Sequence, residues 1–361
     1  MTPSVLTALS GGVDSSVAAL LLKERGYRVI GVHLKLWDCI GDGEGIYREG
    51  RCCNPNAVDD CRWVCDTIEA PFYVLDMSQI FRREVIDNFV TEYSKGRTPN
   101  PCVRCNTNIK WKTLLHKATA LGCDYIATGH YASVERLENG DFVLRKGVDS
   151  TRDQSYVLWG LNRKSLSRTL LPLGALRKTE VREIACRYNL KTAGNKESRE
   201  ICFVPDDDYR RFIKNRQTKD VPRPQPGEIV LEDGSVVGRH KGTAYYTIGQ
   251  RKGLGIAHPK PLYVQRIDVL HNRVIVGEND TLFSSEFIAE QVNWISEKPE
   301  DQSFQAQVKI RYRHPPSLAT LTCLTDNRIA ISFREKQRAI TPGQSAVFYE
   351  DDKVLGGGII S

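Results

Sequence analysis

Ser10-Gly11-Gly12-Val13-Asp14-Ser15-Ser16 lies between an apolar run, Val5 to Leu9, and an apolar-periodic segment, Ser16 to Arg25, that stops at Gly26. That order predicts strand, glycine loop and helix, with Val17, Leu20, Leu21 and Leu22 on the core face of the helix. Two glycines let a ligand come close to backbone N–H groups. Those groups, the hydroxyls of Ser10, Ser15 and Ser16, and the helix N-terminus are expected to face one anion, a phosphate. The loop lacks the Gly-Lys-Ser/Thr of a Walker A site and no Gly-Lys pair occurs in the chain, which argues against γ-phosphoryl transfer. A plain Gly-Ser turn capping a helix is the bland alternative, and the strand, loop and helix in register weigh against it.

Thiols are the second candidate. Thr98-Pro99-Asn100-Pro101-Cys102-Val103-Arg104-Cys105-Asn106 reads as a proline-stiffened loop before a helix over 106–121, with two cysteines beside Arg104 and a helix start, a setting that favours thiolate. Pro-Cys-x-x-Cys also occurs in zinc deaminases, but no histidine of the seven is followed by x-Glu, and a zinc ribbon would need a second Cys-x-x-Cys. Cys202, between Ile201 and Phe203, follows a polar segment, Gly194 to Glu200, that reads as a mobile loop; alone, such a cysteine is more often a buried hydrophobe. Cys52, Cys53, Cys61 and Cys65 suit core packing or an adventitious metal. Eleven cysteines, an odd number dispersed through 361 residues, do not suggest a disulfide scaffold. The N-terminus shows no signal-peptide pattern and no stretch approaches eighteen consecutive apolar residues, so a cytoplasmic protein without membrane segments is expected. A net charge of +7 is compatible with a polyanionic partner and equally with an ordinary basic surface.

These residues need a frame. Strands over 28–36, 72–76 and 125–127 alternate with helices over 56–69, 79–93 and 106–121, the pattern of a doubly wound parallel sheet, an α/β fold. Ligands of such sheets bind beyond the carboxyl ends of the strands, so the loop after Leu9, the Leu34 region and Thr128-Gly129-His130 should converge on one nucleotide. Helices near 179–188 and 208–215 precede a proline-rich linker, Val221 to Gly227, after which short alternating strands take over. Two small, mainly β domains are expected there, the last a β-barrel. The boundaries read 1–205, 206–284 and 285–361.

The loop is similar to the pyrophosphatase loop of the N-type ATP family, which implies an adenine nucleotide alpha hydrolase-like domain that adenylates a carbonyl oxygen, with Asp14 on magnesium. Over nearly its whole length the chain resembles the tRNA-specific 2-thiouridylases, which thiolate the wobble uridine of tRNA. The matching motifs run in order: Ala8 to Ser15, Arg97 to Pro101 with Cys105-Asn106, Ala127 to Tyr131, Asp149 to Tyr156, Ile201-Cys202-Phe203, and Tyr246 to Gly253. The resemblance implies ATP contacts from Ala8, Leu9, Ser10, Gly11, Gly12, Val13, Asp14, Ser15, Leu34 and Gly129. It implies Cys105 as nucleophile, Cys202 as persulfide carrier, and Asn100, Pro101 and Cys102 at the target base. It implies His130, Arg152, Asp153, Gln154, Arg311, Tyr312 and Gln344 as residues that contact or shape the tRNA site. Ala8 and Leu34 stand where many relatives have methionine, and Cys102 where many have aspartate.

The implied chemistry suits these residues. Adenylating the position-2 oxygen of uracil turns a poor leaving site into part of AMP, and a persulfide on one cysteine cleaved by another supplies the displacing sulfur. A sulfur-donor protein, such as a cysteine desulfurase or relay carrier, is implied. Cys102, Cys105 and Cys202 could instead hold an iron–sulfur cluster with one open iron. An ATP-dependent amide ligase of the same loop family, or a nucleotide-sensing RNA-binding module, would need neither Cys105 nor Cys202.

Overall fold

The computed structural model describes residues 2–37, 55–194, 201–204, 208–216 and 223–361. Cys52, Cys53, the segment 195–200 and the first two residues of the proline-rich linker lie outside them. Among the described residues seven strands precede the central domain: β1 (Ser4–Leu9), β2 (Arg28–Lys35), β3 (Phe72–Asp76), β4 (Tyr125–Ala127), β5 (Ala132–Arg136), β6 (Phe142–Lys146) and β7 (Thr169–Leu170). Five of them form one parallel sheet in the order β3-β2-β1-β4-β7. Val5, Leu6, Val32 and Ile126 are buried in it because both faces are covered by helices, so its strands read as apolar runs rather than alternations.

Helix α1 (Val13–Glu24) packs Ala19, Leu20 and Leu22 with Val5, Leu9 and Val29 of the sheet and Val13, Val17 and Ala18 with Val181 and Ala185 of the helix over 178–187, and it stops where Gly26 takes φ +82°. Each such Val or Leu contributes roughly 1.5–3 kcal/mol by burial, so Val17→Asp would undo the docking. The helix starts three residues before the expected point, at Val13, because Gly12 is extended and serves as the N-cap. The 101–120 helix also starts early, at Pro101: Asn100 accepts from the Cys102 and Val103 N–H groups and proline occupies the first helical position. Cys102 and Cys105 are therefore on a helix, not a loop. That helix widens to π geometry over Cys105–Leu114, and Trp111 Nε1 donates to Thr169 Oγ1 at 2.7 Å, pinning it to β7. The 78–94 helix has its own π turn, Arg82–Ile86, where the Glu84 carbonyl accepts from Arg104 Nε at 2.9 Å.

The central domain is a four-stranded sheet of β8 (Gly227–Val230), β9 (Val236–His240), β10 (Tyr263–Asp268) and β11 (Arg273–Gly277), ordered β10-β11-β8-β9. Then follow β12 (Phe283–Trp294), β13 (Ser303–Lys309), β14 (Ser317–Cys323), β15 (Ile329–Arg338), β16 (Ser345–Glu350) and β17 (Lys353–Ile360), which close through β12–β17 pairing into a six-stranded antiparallel barrel. Asp326 and Asn327 take φ +58° and +55° in the β14–β15 turn.

The hairpin β5–β6 is the unexpected element. It leaves the nucleotide-binding half at Tyr131 and joins the barrel sheet on β17, where Lys146 N donates to Asp352 O at 2.8 Å and Arg145 Nη1 to Asp352 Oδ1 at 2.6 Å. A second tie is the loop before the cysteine helix. Arg97 reaches Glu290 Oε1 at 3.0 Å, Thr98 N donates to Pro342 O at 2.8 Å, and Gln344 Nε2 donates to Thr98 O at 2.9 Å. Thr98 Oγ1 also meets Thr247 Oγ1 of the central domain at 3.3 Å. Among the described residues no helix is long and apolar enough to cross a membrane.

Candidate active site

At the carboxyl end of β1, Gly11 takes φ +76°, and a Cβ there would lie 2.8 Å from Ala57 Cα. A Cβ on Gly129 would lie 2.7 Å from Asp14 C and Ser15 N, so the turn after β4 rests directly on the first turn of α1. The loop after Leu9 and the Gly129 turn thus converge, while Leu34, beside them on β2, is buried. Ala8 and Leu9 end β1, and Val13 is buried under the loop. The serine hydroxyls depart from expectation. Ser15 Oγ accepts from Ser10 N at 3.1 Å and donates to Gly12 O at 3.0 Å, and Ser16 Oγ donates to Gly12 O at 3.0 Å. Both are buried and brace the loop, because starting the helix at Val13 turns them back onto its own first turn; Ser10 alone is exposed.

Asp14 Oδ1 accepts from Lys178 Nζ and from Tyr131 OH, each at 2.6 Å. The Lys178 side chain is 8% exposed and that of Asp14 32%. Lys178 opens the helix Lys178–Arg187, with its N–H on Asp149 Oδ2 at 3.0 Å. Sequence reasoning missed it; the available signal was a lysine at a helix N-terminus, where the dipole disfavours a cation unless an acid or anion faces it. Tyr131 is in turn clasped by Gln154, which accepts from its N–H at 3.0 Å and donates its own N–H to the Tyr131 carbonyl at 2.8 Å. Under the loop, His33 Nδ1 lies 3.1 Å from Leu9 O, and burial lowers its pKa, keeping it neutral.

His130 Nδ1 lies 2.7 Å from Thr128 Oγ1 beside Trp111, and desolvation first and Lys110 second push its pKa well below the usual histidine range. Cys102 is exposed; Cys105 and Cys202 are half-buried thiols packed on the same core. Phe203 meets the Phe81 and Phe89 rings at centroid distances of 5.7 and 5.3 Å, so Cys202 and the cysteine helix lean on the same 78–94 helix. Cys61 and Cys65 are core residues, as expected, and burial pushes the Cys65 thiol up to about 12. Among the described residues no three His, Cys, Asp or Glu side chains gather so as to hold a metal ion.

Where the cysteine helix meets the barrel, Tyr156 OH donates to Ser345 O at 2.9 Å and is hydrogen-bonded to the Asn100 side chain. Tyr312, 36% exposed, stands 6.0 Å from the Tyr156 ring, with Lys309 Nζ 5.7 Å from its centroid. Burial first, then Asp153 and Cys102, raise the Tyr312 pKa. Arg311 Nη2 donates to Arg338 O at 2.7 Å, while its Nε is buried with no partner among the described residues. Pro101 is buried and Arg152 lies near the rim. Asp153 is buried and accepts from Gly147 N, Ser155 N and Ser155 Oγ, and Gln154 holds Tyr131. Those two therefore shape the site from inside, whereas Arg152, Tyr312 and the exposed Cys102 face outward.

Three family models match the chain: "tRNA methyl transferase HUP domain" over residues 3–206, "tRNA methyl transferase PRC-barrel domain" over 212–278 and "Aminomethyltransferase beta-barrel domain" over 284–360. A protein of Clostridium botulinum (strain Loch Maree / Type A3) named tRNA-specific 2-thiouridylase MnmA 1 is 49% identical over 360 residues, covering 100% of this chain and 99% of that protein. The tRNA-specific 2-thiouridylase MnmA of Geotalea uraniireducens (strain Rf4) is 50% identical over 360 residues, covering 99% of this chain and 94% of that protein.

Proposed function

The chain belongs to the tRNA-specific 2-thiouridylase family, and we propose that it carries out ATP-dependent 2-thiolation of the wobble uridine of tRNA by the following division of labour. The backbone at Gly11, Gly12 and Gly129 and the start of α1 receive the ATP phosphates, with Ala8, Leu9, Ser10, Val13, Ser15 and Leu34 shaping the cradle. Lys178 stands beside the leaving pyrophosphate. Asp14 fits a magnesium ion that takes its other ligands from phosphate and water: Lys178 and Tyr131 engage Oδ1 and leave Oδ2 for the metal, which would neutralise phosphate charge. Adenylation of the position-2 oxygen, attack by the terminal sulfur of a Cys202 persulfide and cleavage of that persulfide by Cys105 give thiolated base, AMP and pyrophosphate.

The observation that carries this reading is the position of the segment 97–105. It is tied to the barrel by Arg97, Thr98 and Gln344 and to the central domain by Thr98, and it sets Asn100 against Tyr156 and Cys102 near Tyr312, one turn before Cys105. An anticodon base unstacked into that seam would find Tyr312 to stack on and Arg311 and Arg152 for its phosphates. His130 shapes the pocket floor. A sulfur-donor protein that loads Cys202, a cytoplasmic setting and the division at 1–205, 206–284 and 285–361 belong to the same proposal.

The test uses purified full-length Cys105→Ser and Cys202→Ser with tRNA, ATP and inorganic polysulfide. Both should release pyrophosphate in a tRNA-dependent manner yet form no 2-thiouridine by nucleoside mass spectrometry. Thiolation at the wild-type rate by either variant would overturn the thiol assignments.

A further inference from the structure

Cys102 is the exposed thiol of the three, and it lies three residues ahead of Cys105 on one helix. The helix is regular there: Arg104 takes φ −63°, ψ −42° and Cys105 φ −59°, ψ −47°, and the Cys105 N–H points to the Cys102 and Pro101 carbonyls. Residues three apart in an α-helix have Cα atoms about 5 Å apart, from its rise and radius. That lies within the roughly 4.4–6.8 Å spanned by disulfides. The π geometry begins at Cys105, so the turn from Cys102 to Cys105 is the last regular one. Cys202, by contrast, is half-buried between Ile201 and Phe203, and Phe203 is packed among the Phe81, Phe89 and Phe212 rings.

We propose that Cys102 is the resolving thiol of the sulfur-transfer cycle, passing the spent disulfide from the half-buried Cys202 to the exposed end of the cysteine helix. The proposal rests on the persulfide reading above. In that reading Cys105 attacks Cys202 Sγ, the bond to the transferred sulfur breaks, and a Cys105–Cys202 disulfide remains. The Cys102 thiolate, its proton released to solvent, then attacks Cys105 Sγ. The Cys105–Cys202 bond breaks, Cys202 leaves as a thiolate and takes up a proton, and a Cys102–Cys105 disulfide forms with no net oxidation. An external dithiol reductant supplies the two electrons that reopen it. The exchange puts the oxidised pair where a reductant reaches it and returns Cys202 to the sulfur donor.

The test compares wild type with Cys102→Ser and Cys102→Asp, each given tRNA, ATP and inorganic polysulfide for one turnover without reductant. The samples are then acid-quenched, alkylated and mapped by mass spectrometry. Wild type should accumulate a Cys102–Cys105 disulfide with Cys202 alkylated, and both variants a Cys105–Cys202 disulfide. Steady-state turnover with a dithiol reductant should fall on the order of tenfold in both variants, beyond any fall in their single-turnover 2-thiouridine. A wild-type Cys105–Cys202 disulfide with Cys102 fully alkylated, or unchanged steady-state turnover in the variants, would overturn the relay. Lost single-turnover yield in both variants would overturn it too, placing Cys102 in the base chemistry. Thiolated tRNA with neither disulfide in wild type or variants would instead refute the Cys105–Cys202 exchange on which the relay depends.

Discussion

Gly129→Ala isolates the contact on which the proposed nucleotide site depends. The added methyl would lie 2.7 Å from Asp14 C and Ser15 N and 2.9 Å from Asp14 O, all backbone atoms. Ordinary carbon contacts need about 3.5–4.0 Å, so the turn and the first turn of α1 must separate by on the order of 1 Å. Neither side yields cheaply: the turn follows β4, paired on both edges, and α1 is buried against the sheet. Overpacking of this kind costs about 1–3 kcal/mol, or roughly 2–12 °C of melting temperature for a unit of this size. The loss of function should be larger. Asp14 moves away from Gly129, and a misplacement near 1 Å costs about 100-fold in rate. The assay is tRNA-dependent pyrophosphate release over an ATP titration, read beside thermal melts. Gly122→Ala is the control, since that residue has φ +68° with nothing within 4 Å, so it adds backbone strain far from the site. Pyrophosphate release by Gly129→Ala within threefold of wild type would refute the packing argument.

Gly12→Ala should leave stability within about 0.5 kcal/mol, because Gly12 has φ −97° and the nearest atom to a new Cβ is Ser10 Oγ at 3.4 Å. Its ATP affinity should nevertheless fall at least about tenfold, and unaltered affinity by calorimetry would show that no phosphate approaches that backbone. Lys178→Met should cost about 1–3 kcal/mol in urea melts, below the usual figure for a broken buried pair because Asp14 is about a third exposed and keeps Tyr131; unchanged stability would refute the pairing. His33 sets a pH dependence: its pKa is lowered on folding, so the unfolded chain binds the proton more readily. The stability it contributes is present above the ordinary value of about 6.5 and is lost as pH falls below it, so melts of His33→Asn should change less with acidification than those of wild type. Equal slopes would contradict this. Finally, Lys241, Arg251, Lys252, Arg311 and Arg313 should make tRNA binding salt-dependent, with roughly a hundredfold loss between about 50 and 200 mM salt. Arg251→Ala should reduce the logarithmic slope by about one, and a flat response in wild type would exclude these contacts.

The α/β half was legible because its strands, buried on both faces, appear as short apolar runs between amphipathic helices, and the strand Phe72–Asp76 falls where the pattern puts it. The start at Asn100-Pro101 was also written in the sequence as a cap followed by a first-turn proline, but the surrounding Thr-Pro-Asn-Pro also reads as a stiff loop, and only packing separates the two. Lys178 and Asp14 are 164 positions apart, and no local pattern announces an ion pair across that separation. The hairpin Ala132–Lys146 was hidden for the same reason. Its strands are short and partly polar; they pair with each other, and β6 also reaches a strand over 200 residues later. That pairing changes the meaning of the barrel. The residue before the hairpin, Tyr131, holds Asp14, and the hairpin itself is part of the barrel sheet, so the barrel bears on the loop over 10–16 through the Tyr131 side chain. The Arg97–Glu290 and Thr98–Gln344 contacts tie the same barrel to the helix that carries Cys102 and Cys105. On the proposed reading, a tRNA held by the barrel would meet both the Asp14 loop and the cysteine helix through a continuous structure, and neither tie is visible in either half of the sequence alone.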